Sequence, residues 1–209
     1  MKAAEMRRDL LSAASDVFAR SGYRASSLEE IAQAAGVSKA VVYEHFDSKR
    51  ELHAELLEAR VSELVRRLQA SADLGETGEE RLRGGIRTFF GFVAEHRAEW
   101  DGLLRDPGDA EIAATLTAIH QEVVGVVAGL LAAEPDILGD QDEDPDGRAL
   151  MLEAHAQQLV GATRALAAWW QEHEAIPLEM VLDRAMEFCW IGMARISAGT
   201  RLDGGPSVG

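Results

Sequence analysis

The chain has 209 residues, 47% of them hydrophobic, with a formal net charge of −15. That length buries one sizeable core, or one core and a small companion, and the acidic balance excludes a protein that coats nucleic acid with its whole surface. The lone Cys189 excludes an internal disulfide and reads as a small buried hydrophobe in a reducing compartment.

The charge is unevenly spread. Residues 1–50 carry eight Lys and Arg against seven Asp and Glu, and residues 51–209 carry 13 against 29. Only the N-terminal part can therefore approach a polyanion, and its small surplus implies weak, salt-dependent non-specific affinity. The first expected helix runs from Asp9 to Arg20 with Ala14, Val17 and Phe18 inward and Gly22-Tyr23 behind it. A second helix follows from the spacing of Leu28, Ile31, Ala32 and Ala35, with Ser27 and Glu30 as a capping box and Gly36 as its stop. Ser38 is expected to cap a third helix that Val37, Val41, Val42 and Phe46 hold in place. Ser48 and Glu51 form a second capping box, and Leu52 and Leu56 open the next apolar stripe.

Two short helices meeting at an Ala-Gly-Val turn make a helix-turn-helix. The third helix then exposes Lys39, Ala40, Tyr43 and Glu44 with His45 at its end, small or donor-bearing groups that let it approach a duplex. Tyr43, His45 and Lys49 suit phosphate oxygens, which fix register. Gln33, Lys39 and Glu44 suit base edges in the major groove. Ser26, Ser27 and Ser38 complete the expected DNA-binding set.

These residues carry a resemblance. Ile31-Ala32, Ala35-Gly36-Val37-Ser38, Tyr43, His45-Phe46, Ser48-Lys49 and Leu52, together with the first helix, resemble the signature of the TetR family of bacterial one-component transcriptional regulators over about residues 6–57. The family usually carries Gly where this chain has Ala40, and often Thr or Ser where it has Val41. The resemblance implies a homodimer whose paired N-terminal domains bind a palindromic operator, and a larger C-terminal domain that releases DNA when a small molecule binds.

Beyond Leu52 the pattern stays helical. Expected helices run from Lys49 to about Gln69, about Glu80 to His96, Ala98 to Arg105, Ala110 to Ala133, Arg148 to Glu174, and Pro177 to about Ala198. An acidic loop, residues 134–147, separates two of them. The expected fold is all-α, about nine helices: a three-helix helix-turn-helix domain over 1–50, a helical ligand-binding and dimerisation domain over 51–198, and a Gly-rich tail over 199–209 expected to be disordered. The last two helices are apolar over more than one face, which implies a partner surface. Gly161, Ala165, Trp169 and Trp190 are its candidates, suited to a four-helix interface between two copies.

Inward candidates for a ligand cavity are Phe89, Phe92, Val93, His96, Trp100, Leu103, Ile119, His120, Val123 and Gln158, aromatic and aliphatic walls with a few polar groups that suit an apolar or amphipathic effector. Asp142, Asp144, Asp146, Gly147 and Glu153 satisfy the calcium-loop formula. Pro145 restricts Asp144, and no second such loop pairs with it, so an acidic loop with Asp146 capping the following helix is the preferred reading. No cofactor or metal is expected. No apolar run reaches the roughly 20 residues of a membrane span and the N-terminus is not signal-like, so the cytoplasm is the expected location. Without an interpretable nucleophile and base set, an enzyme is the least supported reading. A ligand-released repressor leads, ahead of a regulator that acts without a ligand or as an activator.

Overall fold

The structure, a computed structural model, describes residues 2–97, 110–134 and 145–197. Among these it has eight helices: α1 (Lys2–Ala25), α2 (Leu28–Ala34), α3 (Lys39–His45), α4 (Lys49–Ala72), α5 (Gly78–Glu95), α6 (Ala110–Ala132), α7 (Pro145–Gln171) and α8 (Leu178–Ser197). The expected short helix from Ala98 to Arg105 and the tail lie outside the described residues. The chain forms two compact units, Met1–Leu64 with Val93–His120, and Val65–Phe92 with Gln121–Gly209.

In the first unit, α1 begins a full two turns before Asp9 because a tertiary contact holds it. The Arg7 guanidinium donates from Nε to Glu55 at 2.8 Å, donates from Nη1 to the His45 carbonyl, and lies 4.2 Å from the Phe46 ring centroid. Gly22, at φ 72 and ψ 166, interrupts the helix near its end, a conformation that costs glycine little. The Ser27–Glu30 capping box forms as expected, and Gly36 turns the chain at φ 69. Ser38 stands at the head of α3, but its side chain makes no capping bond. At α4 the reciprocal pair is offset: Ser48 Oγ accepts from Glu51 N at 3.1 Å, while Glu51 reaches past it to Asp47 N at 2.6 Å.

The core of this unit collects Leu10, Ala14, Val17, Phe18, Ile31, Val42, Phe46, Leu52 and Leu56, all buried, with Leu116 and Ile119 of α6 packed against it. Phe46 is the hinge of that packing, filling the corner where α3 ends and carrying Arg7 on its ring. Phe46→Ala should therefore destabilise the unit by about 3–5 kcal/mol through the cavity it leaves, read as a lower urea midpoint at unchanged slope. A midpoint within experimental error of the unaltered chain would remove Phe46 from the core account.

The second unit is ordered by Phe90 against Trp170, ring centroids 6.0 Å apart, and by the Trp170 indole donating to the Ile176 carbonyl at 2.8 Å across the turn into α8. Arg83 meets Asp183 at 3.3 Å, and Arg87 meets Glu179 at 2.9 Å, tying α5 to α8. Cys189 is free and buried, and burial pushes its thiol pKa up. Two helix starts differ from expectation. α7 opens at Pro145, which puts Asp146 inside the first turn, where a carboxylate still favours the positive helix end. Pro177 precedes α8, accepting from Met180 N and Val181 N, because proline's missing N–H suits it to a helix start in either place.

One helical segment, Ala113–Ala132 of α6, is long and apolar enough by length and composition to cross a membrane, at a mean hydropathy of 1.4. The expectation that no run reaches that length is corrected to this extent. His120, Gln121 and Glu122 stand in its middle, where hydrocarbon would make them costly.

Candidate nucleic-acid interface and cavity

The first unit presents α3 as its exposed face. Gln33, Ser38, Lys39, Ala40, Tyr43 and Glu44 are all exposed, and His45 is half-buried. Tyr43 is 51% exposed although it belongs to a helix whose Val42 is completely buried. An aromatic hydroxyl left outside next to a sealed core is available to an external acceptor. Lys39 Nζ lies 3.5 Å from Glu29 Oε2, an exposed ion pair that bulk water and salt weaken.

Three members of the expected set are occupied within the chain. Ser26 is buried and its hydroxyl donates to the Tyr23 carbonyl at 2.8 Å. Ser27 is committed to its cap. Lys49 donates from Nζ to the carbonyls of Tyr23 and Ser26 at 2.7 and 2.8 Å and sits 4.3 Å over the Tyr23 ring. Desolvation holds its pKa below the ordinary lysine value. Ser26 and Lys49 thus brace the end of α1 against the start of α4 and position the helix-turn-helix, a role that their polarity in the sequence does not distinguish from DNA contact.

Lys39 and Tyr43, both exposed, differ in what they suit, a base edge for the one and a phosphate for the other. Tyr43→Ala should weaken binding to all duplexes alike, whereas Lys39→Ala should alter sequence preference, by about 1–3 kcal/mol at one position of the site. Gel shifts against a set of single-base variants of the site measure both. A uniform loss for Lys39→Ala would reassign it to phosphate.

The second unit holds a cavity of about 880 Å³. Its walls are mostly apolar, including Leu68, Leu82, Ile86, Phe89, Val123, Val127, Leu131, Leu159, Val160 and Trp190. Arg81 and Glu134 pair at one end, with Arg81 Nη2 2.6 Å from Glu134 Oε2. Hydrogen bonding to Arg81 holds the Glu134 carboxyl below its ordinary pKa. Of the sequence candidates, Phe89 and Val123 line this cavity. Phe92 is instead a buried core residue beneath the Arg67 guanidinium, 5.4 Å from its centroid. His96 and His120 are half-buried in the first unit, and Gln158 is exposed beside His155. Trp100 and Leu103 lie outside the described residues. Helical phase alone does not say which inward face meets a void and which meets a packed neighbour. The Arg81–Glu134 pair had no sequence signal, since its partners stand 53 residues apart.

A third feature is an apolar surface on α7 and α8. Gly161, Ala165 and Trp169 are exposed on α7, with Leu150 and Met151, and α8 exposes Met180, Phe188 and Ile191. Trp169 stacks on His173, centroids 4.3 Å apart. Trp190, expected on this face, is half-buried and lines the cavity instead, because it falls on the opposite side of α8 from Phe188. No group of three His, Cys, Asp or Glu suited to a metal occurs among the described residues. Asp142 and Asp144 lie outside them.

Residues 10–56 match the family of bacterial regulatory proteins, tetR family, and residues 79–192, more than half of the chain, match the tetracyclin repressor-like C-terminal domain. The chain belongs to the TetR family. It is a DNA-binding transcriptional regulator and not an enzyme. Among relatives of this TetR-family chain, the HTH-type transcriptional activator FasR of Mycolicibacterium smegmatis is 29% identical over 196 residues, covering 92% of this chain and 84% of that protein. A TetR-like transcriptional regulator from Rhodococcus sp. RHA1 superposes with a TM-score of 0.69 at 28% identity, covering 90% of this chain and 96% of that one. The Bacillus subtilis regulator FadR in complex with stearoyl-CoA shares the fold, with a TM-score of 0.66 at 18% identity over 93% and 99% of the two chains.

Proposed function

We propose that this TetR-family regulator is a repressor that binds a palindromic operator as a homodimer and is released when a largely apolar small molecule enters the cavity of its second unit. The observation that carries the DNA reading is the exposed α3 face, with Lys39 and Tyr43 outward over a sealed Val42. The contact set is Gln33, Ser38, Lys39, Ala40, Tyr43 and His45, with Ser26, Ser27 and Lys49 holding them in place. In this reading residues 1–50 carry the DNA function, residues 51–198 carry the ligand and the partner surface, and the protein works in the cytoplasm beside its DNA.

The ligand reading rests on the 880 Å³ cavity, near the upper end of what small-molecule sites offer. An apolar void of that size loses dispersion contacts that a ligand would restore. The fold shared with a regulator solved with stearoyl-CoA supports a long-chain occupant. The homodimer reading rests on the apolar surface of α7 and α8.

A second reading, activation, is favoured by the name of FasR, which resembles this chain along most of its length. Gel shifts with the DNA upstream of the chain's own coding sequence separate the two. Release of the complex by long-chain ligands supports the repressor, and tighter binding with the same ligands supports the activator. A complex indifferent to every apolar ligand would end the effector reading and leave a constitutive regulator.

A further inference from the structure

α3 is short and lightly anchored. Val42 is the buried residue among its seven, and Ser38 at its head makes no side-chain capping bond. A helix of that length is marginal by itself, so its surroundings set its direction. At the N-terminal end Lys39 Nζ lies 3.5 Å from Glu29 Oε2, but both side chains are exposed and such a pair holds little in water.

The C-terminal end is held from α1. Phe46 N donates to the Val42 carbonyl at 2.9 Å, and the Phe46 side chain is buried. The Arg7 guanidinium lies 4.2 Å from that ring centroid. Its Nη1 donates to the carbonyl of His45, the last residue of α3, a group that the end of the helix leaves without an intrahelical partner. Its Nε donates to the two carboxylate oxygens of Glu55 on α4 at 2.8 and 3.0 Å, its Nη2 donates to Glu55 Oε2, and Glu51 Oε1 is 3.7 Å away.

One side chain thus joins three helices at the corner where α3 stops. Arg7 and Glu55 are both half-buried, and the planar fork lets one cation satisfy a carboxylate and a carbonyl together. A positive group against the last carbonyls also suits the negative end of a helix. Each guanidinium nitrogen has a partner inside the unit, which sets Arg7 apart from a cation held out toward a phosphate. Tyr43 and His45 stand in the last turn of α3, so a small rotation of that end displaces both. Resting on the reading of α3 as the contact helix, we propose that Arg7 is a positioning residue for DNA recognition: it touches no DNA, and by clamping the end of α3 to α4 it fixes the angle at which Lys39 and Tyr43 meet the groove.

The test uses the full chain and the duplex that the unaltered protein selects from a random pool, with a scrambled duplex of equal length and composition as reference. Both are titrated over a range of salt, and a stoichiometric titration fixes the active fraction. Arg7→Met keeps an unbranched apolar chain for Phe46 but no donor for His45 or Glu55. It should weaken binding to the selected duplex about tenfold or more, leave the scrambled duplex within about twofold, and keep the salt slope. Arg7→Met/Glu55→Gln, which strands no carboxylate, should show the same loss and covers the case in which Arg7→Met misfolds. A lower urea midpoint with unchanged affinity for the selected duplex would make Arg7 a brace of the fold alone and overturn the inference. An equal loss on both duplexes, with a salt slope smaller by about one per copy of Arg7, would make it a phosphate contact and overturn it too. Tyr43→Ala, run alongside, keeps the two readings apart. If it weakens both duplexes while Arg7→Met changes neither, only the inference fails; if it changes neither, the reading of α3 fails and takes the inference with it.

Discussion

Phe188→Arg should convert the regulator to a monomer and lower its operator affinity by at least about a hundredfold, with little change in its melting temperature. Phe188 is 75% exposed, so its own unit loses almost no packing when it is replaced. The same side chain is exposed with Met180 and Ile191 on α8, and Gly161, Ala165 and Trp169 are exposed on α7. Two copies of this helix pair would bury that apolar area against each other, and a guanidinium in the middle of it would be desolvated without a partner. The effect on DNA follows from effective concentration. Joining two weak reading heads makes the second binding event intramolecular, which multiplies affinity by about 10² to 10⁴ without a new contact. The near-balanced charge of residues 1–50 gives one head little non-specific attraction to fall back on. Sedimentation equilibrium and a gel shift on the same preparation check it, and a dimer that survives the substitution would move the interface elsewhere.

Acidification should weaken the reading head through one residue, His53. It is 1% exposed, neither ring nitrogen has a hydrogen-bond partner, and it lies between the rings of Phe18 and Tyr23, with centroids at 5.3 and 4.6 Å. Burial first, and the Lys49 ammonium second, lower its pKa from 6.5 to about 4. The folded state therefore favours the neutral ring. Its contribution is fully present above pH 6.5, where the unfolded chain is also neutral, and is lost as pH falls from 6.5 through 4. Between pH 7.5 and 4.5 that amounts to about 2–3 kcal/mol. His53→Phe keeps the ring volume and removes the proton site, so its urea midpoint should fall less over the same interval. Equal losses in the two proteins would show that other groups carry the acid response.

The N-terminal unit was largely legible because its signals are local. Ser27–Glu30, Gly36 and the spacing of Leu28, Ile31 and Val42 each act within a few residues, and each acts in the structure as its chemistry suggests. Where tertiary contacts decide, the reading fell short. The early start of α1 depends on Arg7 reaching Glu55, 48 residues away, and the inward role of Lys49 depends on carbonyls that only the folded chain brings to it. Cavity residues were the least legible. Phe89 and Phe92 share a helix and differ by less than one turn, yet one lines the void and the other is packed beneath Arg67. Trp190 and Phe188 likewise share a helix, and exposure rather than residue type separates the cavity wall from the outer apolar face. An empty volume depends on what every neighbouring element fails to fill, a property that no periodicity encodes.

The central claim is that two copies of α3, held at a fixed spacing, read two half-sites of one operator. A nuclease footprint on the chain's own upstream DNA, at several salt concentrations, tests it most directly. The account predicts a discrete, two-fold symmetric protected segment with half-sites about one helical turn apart. It also predicts that the segment is lost with Phe188→Arg and weakened with Tyr43→Ala. Protection spread evenly along the fragment, or a discrete footprint that Phe188→Arg leaves unchanged, would contradict it.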